Sequence, residues 1–381
     1  MKLKDIAIYI HIPFCISKCY YCDFLSFPRL DGSVDRYIDY LMREMDLYRE
    51  SLEEYTVKTI FIGGGTPSYI GEKYIYKLLN HIYKNFNCNG LEEITIESNP
   101  GTLSRGKLRI YKEVGVNRIS MGVQSLDDRL LREIGRAHSS KDFYNSYELV
   151  RDMGFENVNV DLMFGLPNQT WKDCEGTLEK AIQLDVEHIS YYGLILEENT
   201  LMNKWYHEGK IQIPEEDLER AMYHRGIELL EDNGYSHYEI SNFSKEGLEC
   251  KHNLFYWELR PYIGLGLSSH SNLNHKRFWN YNDFTRYYDS LDKKELPIEG
   301  EEKIDKRMEV AEYLIMGLRL IDGINRKEFF NRFCMEIEDV YGEVLKKYEA
   351  QGLLDIDTEN IKFTPKGIDL SNIVYVELLP Q

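Results

Sequence analysis

Apolar residues along the chain gather into short, mostly β-branched runs at 6–10, 59–62, 94–97, 118–121, 157–162 and 188–191. Runs of this length, bounded by polar turns, read as buried strands. Between them, apolar positions recur with helical spacing over 34–52, 72–86, 104–113, 141–153 and 170–184, the last opened by Thr170, a residue type that caps helices well. Six such alternations predict an α/β fold with a largely parallel sheet covered by helices, either doubly wound or a partial or full (β/α) barrel. Periodicity does not separate these. Near residue 290 the texture changes: a charge-rich stretch at 292–306 leads into helical patterns and then into two short apolar runs, 354–356 and 361–363, around Asp357-Thr358-Glu359-Asn360. That ending reads as a hairpin. The pattern predicts an α/β domain over 1–290 and a small helix-plus-hairpin domain, similar to a winged helix, over 291–381.

Charge narrows the partners. With 46 basic against 64 acidic residues the net charge is −18, which repels phosphate backbones and anionic surfaces, so no nucleic-acid partner is expected. No apolar run approaches the span of a bilayer, and residues 1–10 alternate charged and apolar types instead of forming a secretory signal. A cytoplasmic location is expected. Seven cysteines are present, and three of them, Cys15, Cys19 and Cys22, crowd into eight residues. In a reducing compartment that crowding suggests a metal site; Cys88, Cys174, Cys250 and Cys334 read as small buried apolar residues.

The three thiols follow the first predicted strand, and strand C-terminal ends are where barrels build active sites. Thiolates ligate iron–sulfur clusters, and a four-iron cube offers four corners. Three thiolates leave one iron open to an external chelate, which the amino and carboxylate groups of a methionine moiety can supply. The competing readings are a zinc site completed by Asp23 or His11, or buried structural cysteines. The second strand closes on Ile62-Gly63-Gly64-Gly65-Thr66-Pro67, where glycines allow close backbone approach and unhindered N–H groups, or simply form a tight turn. Later strands end in Glu97, Gln124 and Asp161. Taken singly each suits a cap or turn, and as a set they line one face able to accept ribose hydroxyls.

The C-x3-C-x2-C spacing resembles the radical S-adenosylmethionine (SAM) superfamily. Tyr9-Ile-His-Ile-Pro-Phe-Cys15 and Cys22-Asp-Phe24 are similar, more narrowly, to the branch holding oxygen-independent coproporphyrinogen III oxidases (HemN) and HemW-type heme chaperones. The resemblance implies a barrel of the radical SAM type, a [4Fe–4S] cluster on Cys15, Cys19 and Cys22, and SAM as cofactor. It places SAM contacts at Tyr9, Tyr21, Gly64, Gly65, Thr66, Glu97, Gln124, Arg136, Asp161 and Gly193. Without it, Arg136 would read as a solvated surface arginine.

Within that branch the oxidases carry a fourth cysteine where this chain has Phe24, and an N-terminal extension where only fourteen residues precede Cys15. Lys251-His252-Asn253-Leu-Phe-Tyr256-Trp257 resembles the HNxxYW motif of HemW proteins. The resemblance then implies heme as cargo, contacted through His252, Asn253, Tyr256 and Trp257, with delivery to client heme proteins such as respiratory enzymes, and a homodimer. A histidine suits an axial position on heme iron. The same residues also suit a plain structural role, with His252 and Asn253 satisfying a loop and the aromatics packing beneath the barrel mouth. Whether the chain catalyses at all is left open, and the alternative is a coproporphyrinogen III oxidase performing radical decarboxylation.

Overall fold

The computed structural model describes residues 3–380. Six parallel strands form its centre: β1 (Lys4–Ile12), β2 (Tyr55–Gly64), β3 (Glu93–Ser98), β4 (Arg118–Gln124), β5 (Asn157–Phe164) and β6 (His188–Gly193). Helices α1 (Val34–Tyr48), α2 (Glu72–Asn85), α3 (Arg105–Glu113), α4 (Asp128–Glu133), α5 (Ser140–Asp152) and α6 (Trp171–Gln183) connect them. Along β3, Ile94 and Ile96 join the main apolar core, while the Thr95 hydroxyl donates to the Glu93 carboxylate two residues away, on one face of the pleat. Thr170 begins α6 in a capping box, its hydroxyl accepting from Asp173 N while the Asp173 carboxylate accepts from Thr170 N.

The sheet does not stop at six strands. Short antiparallel strands β7 (Ser236–Glu239) and β8 (Asn242–Ser244) extend it beyond β6, and β9 (Tyr262–Leu265), β10 (His270–Leu273), β11 (Lys276–Asn280) and β12 (Ile298–Lys303) extend it beyond β1. The resulting order, β12-β11-β10-β9-β1-β2-β3-β4-β5-β6-β8-β7, is an open curved sheet, a partial barrel. β12 carries this sheet to residue 303.

A second apolar core, separate from the first, gathers Val310, Leu314, Phe329, Phe333, Tyr341, Leu345, Ile361 and Val374. It lies among helices 306–317, 326–333 and 338–350 and a three-stranded sheet containing the hairpin 354–356/360–363. The Asp357 carboxylate accepts from Glu359 N and Asn360 N, which closes the hairpin turn. This unit also touches the large sheet through its backbone: Ile240 N donates to Arg319 O and Ile321 N to Tyr238 O, so residues 319–321 pair with the free side of edge strand β7. Of the scattered cysteines, Cys174 and Cys250 are buried and Cys88 is half-buried. Cys334 departs from its expected burial: it is exposed, in a left-handed conformation that ends helix 326–333 at the surface.

Candidate functional site

The cysteine loop hangs from the C-terminal end of β1. His11, buried near that end, accepts the Tyr9 hydroxyl on Nδ1 (3.0 Å) and donates from Nε2 to Leu25 O (2.9 Å), pinning the far side of the loop. Burial pushes the His11 imidazolium down to about 4, so the ring is neutral and both nitrogens are committed. With both nitrogens committed, His11 is not free to complete a zinc site. All three loop thiols are free. Burial raises Cys15 and takes Cys22 to about 11, with the neighbouring Cys19 sulfur adding to both. Three sulfurs within each other's field, none in a disulfide, are a donor set suited to a polynuclear iron–sulfur group.

The glycine loop packs onto this one. A Cβ at Gly65 would meet Phe14 O at 2.8 Å, Phe14 N at 2.9 Å and Cys15 Sγ at 3.0 Å. Gly64, at φ +108°, leaves room for the His11 ring. The expectation of unhindered N–H groups fails here: Gly64 N donates to Glu97 Oε2, Gly65 N to Ile12 O and Thr66 N to Phe14 O. The close approach that glycine permits is thus to the cysteine loop itself.

The other candidate residues converge on the same mouth. Gln124 ends β4 at φ +67°, beyond a bulge, and its Oε1 accepts the Tyr192 hydroxyl (2.9 Å). A left-handed conformation costs a residue other than glycine about 1 kcal/mol and is held only by surrounding structure. Asp161 accepts from Asn159 Nδ2 (2.7 Å), and desolvation raises its carboxyl. Desolvation and then the Asp161 charge push Glu97 up to about 8. Tyr9 is raised by burial and then by the charge of Glu97, and Tyr21 by burial, against the lowering effect of the Arg136 guanidinium beside it. A Cβ at Gly193 would meet Glu219 Oε1 and the Phe164 ring, each at 3.1 Å. Arg136 is no solvated arginine. Its guanidinium donates to Cys19 Sγ (3.5 Å), Asn99 Oδ1 (2.7 Å) and Gly122 O. Asn99 is the residue that sequence reasoning passed over. The available signal was its place two residues after Glu97, directly before Pro100 at a strand end.

His252, Asn253, Tyr256 and Trp257 form a separate group, of which Tyr256 lies near enough to Tyr9 and Glu97 to feel their charge. They occupy a short helix, 251–257, whose first amides, Lys251 N and His252 N, donate to the Glu93 carboxylate at the start of β3. His252 is 1% exposed, with Nδ1 bonded to Thr59 Oγ1 (2.8 Å) and Nε2 to the Tyr256 hydroxyl (2.9 Å). Burial, then the charge of Arg118, lowers its imidazolium to about 3. In this conformation His252 has no nitrogen free for heme iron, and it sits in a helix instead of the expected loop. Trp257 stacks under the Arg319 guanidinium at 4.5 Å, at the joint with the C-terminal unit.

Comparison with known proteins agrees with this architecture. The model of the Radical SAM superfamily matches residues 9–181 and that of the HemN C-terminal domain matches 304–370. The heme chaperone HemW of Bacillus subtilis (strain 168) is 38% identical over 97% of this chain and 98% of its own, and that of Escherichia coli (strain K12) is 34% identical over 96% of each. Among solved structures, the coproporphyrinogen III oxidase HemN from Escherichia coli superposes with a TM-score of 0.86 at 22% identity, covering 99% of this chain and 91% of that one, which shows the shared fold. Radical SAM membership implies a [4Fe–4S] cluster and SAM as cofactors. With near full-length relatives at these identities, the chain belongs to the HemW family of the radical SAM superfamily.

Proposed function

We propose that the chain is a cytoplasmic heme chaperone that binds heme and hands it to client heme proteins, respiratory enzymes among them, and that it does not oxidise coproporphyrinogen. The observation that carries this reading is the end-to-end similarity to proteins named heme chaperone HemW. Phe24 supports it: this residue stands where the resembling oxidases have a fourth cysteine, and it is 64% exposed beside the loop. Cys15, Cys19 and Cys22 would hold the cluster, and the open iron corner would take SAM. When bound and reduced, the cluster supplies one electron to the adjacent sulfonium.

The chain's own residues would do the positioning. Glu97 and Asp161 are acceptors for ribose hydroxyls, Gln124 and Tyr192 fix one another at the mouth, and Tyr9, Tyr21, Gly64, Gly65, Thr66, Arg136 and Gly193 complete the SAM site. Heme ligation by His252 would need its bonds to Thr59 and Tyr256 to open. A homodimer belongs to the same proposal.

The test is anaerobic reconstitution with ferrous iron and sulfide, followed by parallel titrations with SAM, heme and coproporphyrinogen III. Heme and SAM bind, and incubation of coproporphyrinogen III with SAM and reductant gives no protoporphyrinogen. Clear decarboxylation would overturn the chaperone reading in favour of the oxidase.

A further inference from the structure

Two of the three loop sulfurs accept a side-chain hydrogen bond from donors that one amide holds, and the Ser26 hydroxyl also lies beside Cys15. Thr66 Oγ1 donates to Cys15 Sγ (3.5 Å), and Arg136 Nη1 donates to Cys19 Sγ (3.5 Å). Asn99 stands between the donors: its Nδ2 donates to Thr66 Oγ1 (2.9 Å) and its Oδ1 accepts from Arg136 Nη2 (2.7 Å). The orientation of this amide is forced, because a guanidinium only donates and so must face the oxygen. Thr66 then accepts from the amide nitrogen, and its single hydroxyl proton is left for Cys15. Asn99 is itself fixed at the end of β3, its backbone N donating to Ser68 Oγ (3.3 Å) and its carbonyl accepting from Thr102 Oγ1 (2.6 Å). Space for the arrangement is reserved by Gly122, where a Cβ would come within 3.0 Å of Asn99 Oδ1 and 3.2 Å of Arg136 Nη2.

We propose that Asn99 is a positioning residue for the cluster: it aims the Thr66 hydroxyl at Cys15 and the Arg136 guanidinium at Cys19, and through them raises the cluster's reduction potential. The proposal rests on the assignment of Cys15, Cys19 and Cys22 as cluster ligands. Donors to a ligating thiolate withdraw negative charge from it and favour the added electron, as does a fixed cation nearby.

The test uses the full-length chain, reconstituted anaerobically and titrated with a low-potential reductant, with the reduced cluster counted by electron paramagnetic resonance and iron measured in parallel. In Asn99→Asp the carboxylate still accepts from Arg136, but it has no proton for Thr66; the Thr66 hydroxyl turns to the carboxylate and Cys15 loses the Thr66 donor, keeping only Ser26 beside it. At a fixed applied potential the reduced-to-oxidised ratio falls about tenfold, ~59 mV for a one-electron couple. Thr66→Val removes the same donor without adding charge and shifts the ratio the same way by less, and the double variant matches Asn99→Asp instead of the sum. An unchanged potential in either loaded single variant overturns the proposal. So does failure of both variants to load iron when the wild type loads, because a network that only tunes the cluster is dispensable for assembly. A wild-type chain that assembles no cluster overturns the ligand assignment, and this proposal with it.

Discussion

Substituting Gly65 tests the tight contact between the glycine and cysteine loops. In Gly65→Ala the new methyl meets backbone atoms of Phe14 and the sulfur of Cys15, none of which has a flexible end to move. Overpacking of this kind costs about 1–3 kcal/mol. The expected outcome is a lower thermal midpoint together with a severalfold loss of iron per chain after reconstitution. Glu97 gives a pH signature in the cofactor-free chain. Its folded value of about 8 lies above that of an unfolded glutamate, so the folded state binds the extra proton. The stabilisation is present at low pH and is lost as pH rises from about 4.3 through about 8. Glu97→Gln should make that decline shallower in urea unfolding, leaving the contributions of Glu44, pushed up to about 7 by burial, and of Asp161, which shifts in the same direction. At this scale the sequence showed the cysteines and the strand-end carboxylates, because their chemistry is written in residue type and spacing. Asn99, the left-handed turn at Gln124 and the burial of Arg136 were hidden, since each depends on neighbours from other strands.

Among the elements, the helix 251–257 departs furthest from its sequence reading. The segment was legible as a motif and illegible as a helix, being seven residues long and held at its start by Glu93 from a distant strand. It buries His252 against Thr59 and Tyr256. Removing the imidazole in His252→Ala leaves two hydroxyls without their partner and opens a cavity, a loss of roughly 2–4 kcal/mol. The urea midpoint should fall accordingly while heme affinity stays the same. Weakened heme binding at unchanged stability would instead make His252 a ligand. The six central strands, by contrast, declare themselves through short β-rich runs, continuous and fully buried in Ile6-Ala7-Ile8 and alternating with polar residues in Asn157-Val158-Asn159-Val160. The flanking strands β7 to β11 run to only three to five residues each and pair antiparallel or across long sequence separations, so no local periodicity betrays them.

For the whole molecule, the parallel α/β core and the helix-plus-hairpin ending were both readable, whereas the openness of the sheet was not. Closure depends on which strands find partners, and that is settled by short flanking segments. The openness has a consequence through the backbone pairing of residues 319–321 with β7. An unsatisfied row of amides and carbonyls is a template on which another chain can assemble. The C-terminal unit thus acts as a guard rail for the protein's solubility. A chain cut before residue 319 should drift into growing aggregates in light scattering where the intact chain stays clear, and a monodisperse truncated chain would show that this border needs no guard.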